Sequence, residues 1–234
     1  LSNVSDTSAP QAGFLRAPNL LLRNNGDGTF TDVSETANVS QSKELKTKFI
    51  GNAVAVVPTD FDNRRDVDLL VLNHAGKPNL FRNMRDGSFR DIAGEVGLTR
   101  AEKWTCAAVG DFNKDGFVDF FFGRADGAGI FAASDGRGRF ALQDAPKGTE
   151  NTASAQFLDF DNDGLLDLLV NTEKGFAVAR NLGGEWTNAE NSVFKNKTAA
   201  GSRQILSGDV DGDGDIDLFA FAKNGALQFL RNDG

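Results

Sequence analysis

Asp209-Val210-Asp211-Gly212-Asp213-Gly214-Asp215-Ile216-Asp217 places five carboxylates in nine residues, and the apolar run Leu218-Phe219-Ala220-Phe221 follows at once. So much like charge in a short turn is costly unless a cation sits in it. The same phrase stands earlier as Asp159-Phe-Asp-Asn-Asp-Gly-Leu-Leu-Asp167 and Asp111-Phe-Asn-Lys-Asp-Gly-Phe-Val-Asp119. A damaged copy is Asp60-Phe-Asp-Asn-Arg-Arg-Asp-Val-Asp68. Successive copies start 51, 48 and 50 residues apart, and a fixed period of that size is the mark of a repeat architecture.

Around each acidic loop the chain repeats one plan. A strand of small or apolar residues leads in: Ala53–Val57, Cys106–Val109, Ser154–Leu158 and Gln204–Leu206. A nearly wholly apolar strand leads out: Leu69–Leu72, Phe120–Phe122, Leu168–Val170 and Leu218–Phe221. Such short apolar runs between turn signals fit strands buried on both faces. An Arg-Asn strand follows, then an Asp-Gly or Gly-Gly turn of hairpin type. A strand carrying Phe30, Phe89, Phe140 or Trp186 ends the unit, and these aromatics are placed between neighbouring units. Four antiparallel strands per 40 to 50 residues make a propeller blade. The fold class is therefore all-β, a β-propeller of four-stranded antiparallel blades, with about five blades or part blades over residues 14–234. The count is two strands, three full blades and three more strands, 17 in all. Both ends carry the Arg-Asn strand, so the chain is either a portion of a larger ring or pairs irregularly at one end. Residues 1–13 read as a polar linker or cut end.

The loops have the chemistry of calcium sites. Calcium takes six to eight hard oxygens from carboxylates, amides, backbone carbonyls and water. Oxygens at positions 1, 3, 5 and 9, with the carbonyl of position 7, would supply them, and glycine at position 6 permits the sharp turn. The ligands are Asp111, Asn113, Asp115, Phe117 and Asp119 in one loop. They are Asp159, Asp161, Asp163, Leu165 and Asp167 in the next, and Asp209, Asp211, Asp213, Asp215 and Asp217 in the last. An EF-hand is excluded: it needs glutamate at position 12, where Phe122, Val170 and Ala220 stand. The remaining alternative is an Asp-rich turn with no ion. In the damaged loop Arg64 and Arg65 replace the position 5 carboxylate and the glycine. Two readings are open there. Either a guanidinium sits among Asp60, Asp62, Asp66 and Asp68 in place of calcium, or a solvated arginine lies over an empty loop.

The net charge of −8, with no basic patch, argues against nucleic acid and anionic membrane as partners. About three divalent cations would remove most of that charge. No apolar run is long enough for a membrane span. Cys106 is the single cysteine, so no intramolecular disulfide forms.

These residues resemble the FG-GAP/VCBS repeat, with Asp-x-Asp-x-Asp-Gly-x-x-Asp, Asn-x-Leu-Phe-Arg-Asn, Asp-Gly-x-Phe and Asp91-Ile-Ala-Gly-Glu-Val-Gly-Leu98 as the matching phrases. The fullest match is Asp60 to Leu98, and Trp104–Phe112 is similar to the variant found in ASPIC/UnbV-associated and cartilage-acidic-protein-like chains. The resemblance implies calcium-stabilised propellers like the integrin α head, extracellular or periplasmic, in adhesion or carbohydrate-binding settings. Departures are the Arg64-Arg65 loop, Ala132-Ala133 where Arg-Asn is expected, and the absence of tyrosine.

The catalytic inventory is thin, and no enzyme is expected. His74, the only histidine, falls in a turn, and Cys106 suits a buried space-filler better than a nucleophile. Three readings of function stay open. The first is a non-catalytic module for a protein or glycan ligand, its recognition face formed by connectors such as Gln41–Lys48 and Glu95–Trp104. Trp104 and Trp186 are the aromatics most able to stack on sugar, although Trp186 matches the core aromatic position and reads as structural. The second is a calcium-dependent polysaccharide lyase, for which Lys103 and Arg124 are nominal base candidates. The third is a passive structural domain of a longer multidomain chain.

Overall fold

The computed structural model describes residues 19–40, 53–188, 202–222 and 225–232. The polar opening and the Gln41–Lys48 connector lie outside them. The described residues are all strand and turn, and they fall into two compact units, Leu1–Glu102 and Lys103–Gly234.

In the first unit, β1 (Leu22–Asn24) pairs with β2 (Phe30–Asp32) across the Asn25–Gly28 turn. A four-stranded antiparallel sheet follows, β3 (Ala53–Thr59), β4 (Asp68–Asn73), β5 (Asn79–Asn83) and β6 (Phe89–Asp91), in chain order. Val71 and Phe81 of this sheet pack with Ala37 and Val39, and Leu21, Val33, Leu69 and Phe89 lie against them. Phe30 is 61% exposed, so the aromatic of the first hairpin does not reach the interior as the pattern predicts. Its sheet has only two strands.

In the second unit, β7 (Trp104–Gly110), β8 (Asp119–Arg124), β9 (Ile130–Ser134) and β10 (Phe140–Asp144) form another four-stranded meander. The next sheet has three strands, β11 (Ser154–Leu158), β12 (Asp167–Thr172) and β13 (Gly175–Ala179). Its expected fourth strand is reduced to a single bridge between Asn181 and Trp186. Gly183 and Gly184 between them both have positive φ, 77° and 122°, which suits a turn and not a paired strand. The last sheet is β14 (Ser202–Gly208), β15 (Asp217–Ala222) and β16 (Leu227–Leu230). Among the described residues sixteen strands are formed, where the repeat predicts 17 over the chain.

Alternation along each apolar strand decides what it packs against. Phe121 and Phe131 of the β7–β10 sheet meet Leu168, Val170, Ala177 and Ala179 of the β11–β13 sheet. One residue on, Leu169 and Val178 turn the other way to Leu218 and Ala220 of the β14–β16 sheet. The middle blade of this unit therefore sandwiches its apolar strand between two neighbours, as a stacked repeat does. A buried Phe or Leu contributes about 2 kcal/mol, so these facing layers hold the blades together. The outward face of β15 and β16 keeps Phe221, Leu227 and Phe229 exposed. The acidic loops link the first two strands of the three- and four-stranded sheets, and so recur at one end of each of these.

Candidate metal centres

Each loop is built from the backbone inward. Position 1 folds the loop over itself: Asp111 Oδ1 and Oδ2 accept the N–H groups of Asp115 and Gly116 at 3.1 and 2.9 Å. Asp60 takes those of Arg64 and Arg65 at 2.9 and 2.8 Å. Asp159 takes Gly164 at 2.9 Å and Asp209 takes Gly214 at 3.1 Å. Position 6 is left-handed as predicted, with φ of 85°, 83° and 95° at Gly116, Gly164 and Gly214. Arg65 adopts the same conformation, φ 63°, at a cost of about 1 kcal/mol for a residue with a Cβ. Position 4 is left-handed too, at Asn63, Lys114, Asn162 and Gly212. Two left-handed residues, at positions 4 and 6, let the chain double back tightly.

Position 9 begins the apolar strand and is buried in all four copies: Asp68, Asp119, Asp167 and Asp217 are at most 1% exposed. One oxygen of each accepts a backbone N–H near the end of the third strand. The donors are Asn83, Ser134, Asn181 and Asn232, at 2.7, 2.7, 2.8 and 2.9 Å. In the last three loops the other oxygen takes the N–H of position 2, from Phe112, Phe160 and Val210. Burial pushes Asp68 and Asp119 up to about 6, against those N–H donors, and raises Asp167 as well. Buried carboxylates so disposed are ones a divalent cation would keep ionised.

Positions 1, 3 and 9 converge. In the groups Asp159-Asp161-Asp167 and Asp209-Asp211-Asp217, one carboxylate oxygen from each residue lies within 4.8 Å of the others. Asp159 Oδ1 is buried without a hydrogen-bond partner. Hard oxygens at this spacing, one of them unpartnered, fit calcium. Asp163 and Asp213, at position 5, instead hold the N–H groups of Leu165 and Asp215 at 2.8 and 3.0 Å, as Asp115 holds that of Phe117 at 2.8 Å. In the 111–119 loop, position 3 is an amide. Asn113 Nδ2 lies 3.4 Å from both Asp115 Oδ2 and Asp119 Oδ1, and exchanging the amide's N and O would turn an oxygen toward them. The loops also touch: Asn162 Nδ2 donates to Asp215 Oδ1 at 2.6 Å.

The damaged loop brings Asp60, Asp62 and Asp68 together as closely as the intact ones, and Asp68 Oδ2 is buried without a partner. Guanidinium groups do reach it, but the closest contacts come from other arginines than the two in the loop. Arg64 Nη1 is 3.9 Å from Asp62, whereas Arg82 of β5 is 2.5 Å from it. Arg85, in the next turn, is 2.6 Å from Asp66 and donates to the carbonyl of Arg64 at 2.5 Å. Arg65 is exposed. Four arginines thus belong to a segment with four carboxylates, Asp60, Asp62, Asp66 and Asp68.

The other candidates are placed away from any reactive constellation. Trp104 is 1% exposed and stands edge-on to Phe122, 5.5 Å between centroids. It begins a strand and cannot offer its face to a sugar, contrary to the expectation for a connector residue. Trp186 stacks on Phe131 at 4.6 Å in the layer between blades. Lys103 and Arg124 both pair with Asp126, at 3.4 and 3.6 Å. Desolvation pushes the Cys106 thiol up to about 11, which leaves no thiolate for nucleophilic work. His74 is exposed in its turn. Among the described residues, no helix is long and apolar enough to cross a membrane.

Three overlapping stretches, 60–122, 111–170 and 159–220, match the FG-GAP-like repeat model, more than half of the chain. The chain belongs to the FG-GAP-like repeat family. The middle of the chain is thus covered continuously by FG-GAP-like units, each running from one acidic loop through the apolar strand after the next. Cartilage acidic protein 1 of Xenopus tropicalis is 30% identical over 199 residues, spanning 77% of this chain and 27% of that protein. The mouse protein, from Mus musculus, is 29% identical over 182 residues, 68% of this chain and 26% of its own length. The chain therefore spans about a quarter of these relatives. Among solved structures, an Agrocybe aegerita lectin that recognises non-reducing terminal N-acetylglucosamine is 16% identical, with a TM-score of 0.46 over 93% of this chain and 75% of that one. The biofilm matrix protein Bap1 of V. cholerae is 12% identical, with a TM-score of 0.48 over 78% of this chain and 31% of that one.

Proposed function

We propose that the chain is a calcium-stabilised propeller module that binds a protein or glycan ligand without chemistry, on the extracellular or periplasmic side. The observation that carries this is the fourfold recurrence of one loop geometry. A buried Asp heads the apolar strand in all four loops and is joined to carboxylates at positions 1 and 3 in three of them, with Asn113 at position 3 of the other, in a family whose members are built from such repeats.

Calcium would supply the charge that these carboxylates lack, and so hold the ends of each loop together. The chain's residues do the rest. Position 9 anchors the loop to the sheet, position 1 folds it, and the left-handed residues turn it. About three ions are expected, at 111–119, 159–167 and 209–217; the 60–68 loop is balanced by its arginines. A relationship to Cartilage acidic protein 1 supports placement outside the cytoplasm and inside a longer multidomain protein. The pairing of Lys103 and Arg124 with Asp126 counts against a lyase base at either residue.

Thermal unfolding in excess calcium and in EDTA tests the cation reading. Melting should fall substantially on chelation, since emptied loops leave mutually repelling carboxylates. Equal melting in both would overturn it. A glycan and matrix-protein array, run in calcium and in EDTA, tests ligand binding.

A further inference from the structure

The loops differ in one respect that their consensus hides. An arginine in the third strand, or one residue past its end, reaches back to the position 3 carboxylate in three blades: Arg82 to Asp62 at 2.5 Å, Arg180 to Asp161, and Arg231 to Asp211 at 3.0 Å. Arg231 also lies 3.7 Å from Asp213. In the remaining blade both partners are missing together. Asn113 stands at position 3, and Ala133, at the arginine's register just before the Ser134 that bonds Asp119, stands on the third strand. Aspartate and arginine are kept or lost as a pair.

We propose that the third-strand arginine is a built-in counter-cation that occupies the position 3 carboxylate when the loop holds no ion, and so sets how tightly each loop takes calcium. The inference rests on the calcium reading above and adds to it. Asp161 and Asp211 are members of the convergent oxygen groups, so an ion entering there meets a carboxylate already neutralised by a guanidinium. A positive charge beside a divalent ion is repulsive, and at a partly solvated site its removal is worth about tenfold in affinity. The arginine does two opposite things. It spares the ion-free loop from carboxylate repulsion, and it competes with calcium. In the 60–68 loop, Arg82 is joined by Arg85 on Asp66, and competition becomes replacement. The 111–119 loop has fewer carboxylates and no such guard.

Titration calorimetry with calcium chloride on the full chain, stripped of metal, reads this out alongside melting in EDTA. Arg180→Gln should tighten calcium binding about tenfold at one site and lower the melting temperature in EDTA; Arg180→Lys, which keeps the charge, should bind as the parent does. Arg231→Gln should repeat the result in the last loop, and it decides the matter if Arg180→Gln does not fold. A parent that binds calcium while the glutamine variants bind equally or more weakly overturns the proposal alone. A parent that takes up no calcium overturns the cation reading and the proposal with it.

Discussion

Asp167 Oδ1 accepts the backbone N–H of Asn181 at 2.8 Å, and its Oδ2 accepts that of Phe160 at 3.0 Å. One buried side chain thus ties the head of β12 to both the third strand and the loop, and Asp119 and Asp217 repeat it. Both bonds are made to the chain's own backbone and need no ion to form. Asp167→Ala should cost about 3 kcal/mol in EDTA as well as in calcium, because two N–H groups lose their acceptor. Urea unfolding under both conditions measures it, and a loss confined to calcium would show the residue to be a ligand only.

Loop ligands should behave differently from the damaged loop. Asp213→Ala in excess calcium should lower the melting temperature more than Asp62→Ala. The first removes a carboxylate from a loop of five aspartates; the second breaks a partly exposed ion pair with Arg82, worth about 1 kcal/mol or less. In EDTA the order should reverse or vanish. A larger loss for Asp62→Ala in calcium would place an ion in the 60–68 loop.

Acidity should act on the ion-free and ion-bound protein in opposite senses. Burial raises Asp68 and Asp119 from 3.8 to about 6, so the folded state binds their protons more readily than the unfolded chain. Their contribution is fully present below 3.8 and is lost as pH rises through about 6. Melting in EDTA should therefore rise as pH falls from 7 to 5. The carboxylates held low by hydrogen bonds, such as Asp86 with the Ser88 hydroxyl, weaken the fold only at still lower pH. Calcium competes with those same protons, so the gain in melting temperature from calcium should shrink over the same interval. Melting curves at pH 5, 6, 7 and 8 with and without EDTA check both trends; a calcium increment that grows toward pH 5 contradicts them.

The backbone of the damaged loop predicts a stabilising change. Arg65 sits at φ 63° where the other loops have glycine, so Arg65→Gly should relieve about 1 kcal/mol of strain, partly offset by the freedom glycine gains when unfolded. The N–H bond to Asp60 Oδ2 that closes the loop is retained. A destabilisation above 1 kcal/mol would mean that the Arg65 side chain carries a contact of its own.

The period of aspartates made the blades readable, because one spacing served both the loop and the strand it opens. Asp68, Asp119, Asp167 and Asp217 each begin an apolar strand, so both the loop end and the strand start were marked by one residue. The left-handed turn at position 4 is not legible in the sequence, although Asn63, Asn162 and Gly212 are residues that favour it, because Lys114 breaks the cue. Arg82 was missed as the partner of Asp62 because it lies 20 residues away, and only strand register brings it back. Trp104 reads in the sequence as a surface residue because it ends a variable connector. Its position opposite Arg124, at the start of β7, was not marked by any local signal. Trp186 was correctly assigned to the interior from its match to Phe89 and Phe140, but the strand around it shrank to one bridge at the Gly183-Gly184 turn.

Counting calcium on the full chain is the most direct test of the central claim. Native mass spectrometry, after saturation with calcium and removal of the excess, should show about three ions per chain. Alanine at Asp115, Asp163 or Asp213 should each remove one, and alanine at Asp62 should remove none. No retained ion, or a fourth one lost with Asp62→Ala, would contradict the account.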